Sequence, residues 1–186
     1  NAQGRCIDTR SAKINLMLNG VNLTAHGTNS QPLTIGGSEA MTKVTISGGT
    51  IDAGTSGYAV ICFVPVTNHI NVQGNAVIKG LAAFYLKEGV TNTAIKLSQS
   101  TSIGTNKCAA ASGDFGAVVI EGSDNAVRLE NSKAVVKAAE SYFRNSPKKV
   151  EIVNKAFDDV KVKTHNTKLS QATAAVTTNM HDFCRI

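Results

Sequence analysis

Leu16-Met17-Leu18-Asn19-Gly20, Val44-Thr45-Ile46-Ser47-Gly48 and Ile70-Asn71-Val72-Gln73-Gly74 are three copies of one pattern: apolar, any, apolar, polar, glycine. Three more follow, Ile95-Lys96-Leu97-Ser98-Gln99, Val127-Arg128-Leu129-Glu130-Asn131 and Val150-Glu151-Ile152-Val153-Asn154, in which only Val153 breaks the polar position. The copies start at residues 16, 44, 70, 95, 127 and 150. Inside each copy the period of two is that of a strand with one face buried. The fifth position holds Gly, Gly, Gly, Gln, Asn and Asn. These are residues that tolerate a positive φ, so each strand runs into a tight turn.

Beyond each turn the pattern continues. A second apolar position follows at Leu23, Ile51, Val77, Ile103, Val135 and Phe157, and a third apolar stretch at residues 33–35, 59–64, 82–86 and 117–120. Three short strands per repeat of about 25 residues describe one coil of a solenoid, whose coils bury a continuous column only when stacked. The expected architecture is an all-β, single-domain, right-handed parallel β-helix of about six coils over residues 14–169. Residues 1–13 and 170–186 are expected to cap or brace the open ends, which otherwise expose unpaired strand edges. The alternation turns Leu16, Leu18, Val44, Ile46, Ile70, Val72, Ile95, Leu97, Val127, Leu129, Val150 and Ile152 inward. In segment 133–145, Val135, Ala138, Ala139, Tyr142 and Phe143 also fit one face of a helix. Strand at its start and a short helix over 138–144, stopped before Pro147, is the expectation there.

Composition agrees with this pattern. Hydrophobic residues make up 42% and charged residues 17%, which argues against disorder. The chain carries 16 Gly, 3 Pro and no Trp, which suits strands joined by tight turns. No run reaches the roughly 18 to 20 apolar residues of a membrane helix, so no membrane span is expected. The chain begins at Asn1 rather than Met, as a chain does once a signal peptide or a tag has been removed. Cys6, Cys62, Cys108 and Cys184 are even in number, widely spaced and without metal-binding spacing, so two disulfides of open pairing are expected. Secretion into an oxidising, extracellular compartment follows as the expectation. Asn22-Leu23-Thr24 is an N-glycosylation acceptor sequence.

The [VIL]-x-[VIL]-x-[GN] coils over residues 16–169 resemble the right-handed parallel β-helix superfamily, the fold of pectate lyases, polygalacturonases, phage tailspikes and many surface proteins. The turn column Gly20, Gly48, Gly74, Gln99, Asn131, Asn154 looks like that superfamily's asparagine-bearing turn, although only its last two members are Asn. A pectate-lyase resemblance implies a calcium site of clustered carboxylates beside a basic residue that removes a proton. Hard cations need several converging oxygens. Here Glu39, Asp52 and Glu88 stand nearly alone in the first four coils, and Asp158-Asp159, the one adjacent pair, reads as a solvated turn. Polygalacturonase-like hydrolysis needs two or three carboxylates across a sugar, but Asp52 has Lys79 in the comparable place one coil on. His26, His69, His165 and His181 are scattered, and no nucleotide or zinc motif occurs. No cofactor or metal is expected. Ice binding requires one rank of threonines, whereas Thr24, Thr45, Thr50, Thr91, Thr93, Thr101 and Thr105 fall in different columns.

Charge is the positive signal. The net charge is +6, and between residues 128 and 168 ten Lys or Arg face five acids. Arg128, Lys133, Lys137, Lys155, Lys161 and Lys163 are the candidate binding residues, and Lys161 and Lys163, two apart, share a strand face. The expected partner is an anionic polysaccharide or cell-surface polymer, bound without cleavage. Nucleic acid is disfavoured because Tyr142 and Phe143 are the only adjacent pair of aromatics set among these cations. The alternative is a small pectate-lyase-like enzyme acting on an acidic polysaccharide.

Overall fold

The computed structural model describes residues 4–9, 14–106, 116–120, 125–130, 135–137, 141–142 and 164–165, which contain strands and no helix. In chain order the first strands are β1 (Ile7–Thr9), β2 (Asn15–Asn19), β3 (Asn22–Thr24), β4 (Leu33–Ile35), β5 (Lys43–Ser47) and β6 (Thr50–Asp52). Next come β7 (Tyr58–Cys62), β8 (Ile70–Gln73), β9 (Val77–Gly80), β10 (Ala82–Leu86), β11 (Ala94–Ser98) and β12 (Ser102–Thr105). The last are β13 (Gly116–Ile120), β14 (Ala126–Glu130), β15 (Val135–Lys137), β16 (Ser141–Tyr142) and β17 (Thr164–His165).

Every third strand pairs in parallel, giving sheet A (β1-β4-β7-β10-β13), sheet B (β2-β5-β8-β11-β14) and sheet C (β3-β6-β9-β12-β15). The molecule is therefore a parallel β-solenoid. The copies starting at residues 16, 44, 70, 95 and 127 are the five strands of sheet B, and the copy at 150 lies outside the described residues. Ile7–Thr9, in the segment read as a cap, is the first strand of sheet A, paired with Leu33–Ile35. Ser141–Tyr142 is a strand and not part of a helix, paired in parallel with Thr164–His165. Its partner lies 23 residues on, the spacing of one coil, so here inter-coil pairing overrides the amphipathic helical pattern.

Inward columns are continuous. Val44, Ile70 and Ile95 stack in register, as do Leu18, Ile46, Val72 and Leu97, and all are buried. Leu16, on the terminal strand, is only partly buried against them. On the next strand Val127 and Leu129 are the backbone partners of Ile95 and Leu97. In sheet C the inward column is Leu23, Ile51, Ile78 and Ile103. Val77 instead lies in register with Thr50 and Ser102, and Val135 with Ser102. In the third and fourth coils the turn before sheet C is one residue longer than in the first two, which puts Ile78 and Ile103 in the column, and a one-residue slip moves a side chain to the other face. The B-to-C turns are as read: Gly20, Gly48, Gly74 and Gln99 have φ of 64°, 69°, 70° and 60°. Gln99 returns its side chain to the turn below, its Oε1 accepting from the Gly74 amide at 2.6 Å.

Sheet A differs from the others because β10 is buried along its whole length. Leu33, Val60, Phe84 and Val118 form one inward column. On the opposite face Ile61, Ala82 and Tyr85 form a second buried cluster with Tyr58. The Tyr58 and Tyr85 rings lie 4.5 Å apart between centroids, and Lys87 Nζ sits 4.5 Å above the Tyr85 ring.

Candidate functional site

The period of two that buries one face of sheet B leaves the other face polar. Met17, Thr45, Asn71, Lys96 and Arg128 form one register column across its five strands. Beside it Asn19, Ser47 and Gln73 form a second column, and Ser98 pairs with Glu130. Adjacent strands are about 4.8 Å apart, so amide and hydroxyl groups recur at that spacing along the rod. Lys96 and Arg128 occupy neighbouring positions of the first column, which places two cationic residues one strand apart. Met17 and Lys43 are exposed on the first two strands, whereas Thr45 is buried.

Sheet C carries a charged group with several partners. Thr24, Asp52, Lys79 and Gly104 form one register column, in which Lys137 is the Cα partner of Gly104. Asp52 Oδ1 accepts from the Gly54 amide at 2.8 Å and from Asn106 Nδ2 at 3.0 Å. Its Oδ2 lies 3.1 Å from Lys79 Nζ and 3.7 Å from His26 Nε2. Burial raises the Asp52 carboxyl, but the Gly54 amide, Lys79 and Asn106 outweigh it and hold the group below its ordinary value of 3.8. Asp52 is an anion with both oxygens engaged, suited to bracing three coils and not to donating a proton. The His26 ring also walls an open cavity of about 470 Å³ between residues 4–6 and 24–28. Cys6 lies in the same wall, its thiol donating to the Thr24 carbonyl at 3.6 Å.

This network has a pH signature. A carboxyl held low in the folded chain binds protons more readily when unfolded. Its stabilisation is therefore intact above about 3.8 and fades as the pH falls towards the lowered folded value. Lys79→Met is expected to destabilise the protein at pH 7 by under about 1 kcal/mol, because Lys79 is 40% exposed and the pair is screened. The gap between variant and wild type should close below about pH 3.8. Urea midpoints at pH 7 and pH 2.5 check this; a gap unchanged at the lower pH would exclude the ion pair as its source.

Of the expected binding residues, Arg128 joins the sheet B column beside Lys96, and Lys137 lies in the sheet C column two strands beyond Lys79. The two are thus on different sheets. Lys133, Lys155, Lys161 and Lys163 lie outside the described residues. The sequence reading missed Lys96 because it stands outside the basic stretch; only the repeat alignment, which sets it beside Arg128, could have found it. Asn106 reaches Asp52 across 54 residues from a turn, with no local signal.

Among the described residues no disulfide is found, and Cys6 and Cys62 are free thiols. Thr9, Ile35 and Cys62 stand in register on three successive strands, with Cys6 three residues before Thr9. Two strand spacings are about 9.6 Å, beyond the roughly 7 Å between Cα atoms that a disulfide can bridge. Cys62 points into the core, where burial pushes its thiol up to about 12. Cys108 and Cys184 lie outside the described residues. No family model, curated protein or solved structure matches the chain.

Proposed function

We propose that the protein is a secreted, non-catalytic β-solenoid that binds an anionic polysaccharide of the extracellular or cell-wall matrix along the outer face of sheet B. By architecture we place it with the pectate-lyase-like parallel β-helices. The observation that carries the reading is the register column in which Lys96 and Arg128 are neighbours, beside the amides and hydroxyls of Asn71, Ser47 and Gln73. Such a face offers donors and acceptors to sugar hydroxyls and positive charge to carboxylates or sulfates. The chain's net charge of +6 favours the same class of partner. The engagement of Asp52 by Gly54, Asn106 and Lys79 argues against an acid–base role for that carboxylate.

The test is retention on immobilised polygalacturonate at low and high salt, with absorbance of unsaturated products followed in parallel. Binding is expected at low ionic strength and should weaken as salt shortens the Debye length from about 10 Å at 0.1 M to about 3 Å at 1 M. The double variant Lys96→Glu, Arg128→Glu should bind about tenfold more weakly, equivalent to about 1.4 kcal/mol. Unchanged binding by that variant would move the site off sheet B. Product formation would establish a lyase in place of a binding protein.

A further inference from the structure

We propose that Asn22 is an N-glycan acceptor whose sugar shields the open edge of sheet C. Asn22-Leu23-Thr24 is the only Asn-x-Ser/Thr triplet in the 186 residues, and it forms the whole of strand β3. Asn22 and Thr24 are exposed while Leu23 between them is buried, so strand alternation sets the acceptor amide and the required hydroxyl on the same outward side. The Asn22 side chain is also oriented. Its Oδ1 accepts from the Thr50 backbone amide at 2.9 Å, and Nδ2, the atom that would carry the sugar, makes no hydrogen bond among the described residues. The carboxamide is thus held by its oxygen with its nitrogen left available.

Position supplies the purpose. Among the described residues strand β3 ends sheet C and pairs with β6 alone, so its other edge, where the Cys6 thiol meets the Thr24 carbonyl, presents its remaining backbone groups to any strand that approaches. Exposed edges of this kind promote chain-to-chain pairing, and proteins blunt them with bulk or charge. A glycan is bulky and solubilising, and at Asn22 it stands on the terminal strand without crossing the outer face of sheet B. In the transfer, Asn22 Nδ2 bonds to C1 of an oligosaccharide carried on a polyprenyl diphosphate. The C1–O bond to the diphosphate breaks with its electron pair leaving on the lipid diphosphate, and Nδ2 gives up one proton.

The experiment is cell-free translation of the full chain, behind a signal sequence, into eukaryotic microsomes. Only the protease-protected fraction is analysed, so that entry is scored independently of glycosylation. One glycan is expected on the wild type, removed by peptide N-glycanase with conversion of Asn22 to Asp. It should be absent from Asn22→Gln and Thr24→Ala and retained in Thr24→Ser. An unmodified protected wild type, or a glycan persisting in Asn22→Gln, overturns the site. Protein purified from a eukaryotic secretion host is then compared before and after glycanase by light scattering. The deglycosylated form should associate at concentrations where the glycosylated form is monomeric; identical behaviour overturns the shielding role and leaves the acceptor site standing.

Discussion

Gly49→Val is expected to lower stability by about 3 to 5 kcal/mol, the sum of a left-handed backbone strain and an overpacking cost. Gly49 follows the sheet B turn residue with φ 76°. A Cβ there would collide with the Val21 carbonyl oxygen and come within 2.7 Å of the Val21 nitrogen and 2.8 Å of the Gly20 carbonyl carbon. All three are backbone atoms of the coil below, so no side chain can swing aside. Gly20 supplies the control. Its φ is 64°, yet an added Cβ meets nothing within 4 Å, so Gly20→Ala carries the conformational cost of about 1 to 2 kcal/mol alone. Thermal unfolding followed by circular dichroism should show a fall of about 6 to 20 °C for Gly49→Val, at about 2 to 4 °C per kcal/mol for a chain of this size. Equal falls for the two variants would mean that close coil-to-coil approach is not what selects glycine at position 49.

Phe84→Ala should cost a similar amount, about 3 to 5 kcal/mol, through lost burial and the cavity left behind. Phe84 is fully buried and stands between Val60 and Val118 in the inward column of sheet A. Branched aliphatics dominate the interior around it, and none has the volume to fill the gap without moving a coil. Met17→Ala is the comparison: Met17 is 70% exposed and its loss should stay within about 0.5 kcal/mol. Urea midpoints for both variants decide the matter, and a cost below about 1 kcal/mol at Phe84 would contradict its place in the column.

The sheet B strands were legible because two independent signals coincide there, alternation and a turn residue of positive φ, as at Ile95-Lys96-Leu97 with Gln99. Sheet C was legible in position but not in register. Val77-Ile78 and Val135-Val136 are adjacent apolar pairs, and alternation alone does not say which member faces inward. Stacking decides it, because Ile78 lies between Ile51 and Ile103. Strand β1 was illegible, since Ile7-Asp8-Thr9 is too short to show a period and exists through its pairing with β4. Counting cysteines does not say which of them can meet, because number and spacing carry no direction. Cys62 occupies the inward position two after Val60, and that placement was available from the strand pattern. Of the candidate site, the Asp52–Lys79 pair was visible as matching places in successive coils, whereas the reach of Asn106 depends on a turn whose course only the folded chain sets.

The extra residue accommodated between Gly74 and Ile78, compared with Gly48 and Ile51, bears on how such a molecule changes over generations. The inward columns stay in step on both sides of it, so an insertion at a corner is not transmitted along the rod. Inner and outer residues of the sheet B and sheet C strands then behave as two separate alphabets. Selection for packing holds one of them fixed, while the other can be rewritten one rung at a time to suit a new partner.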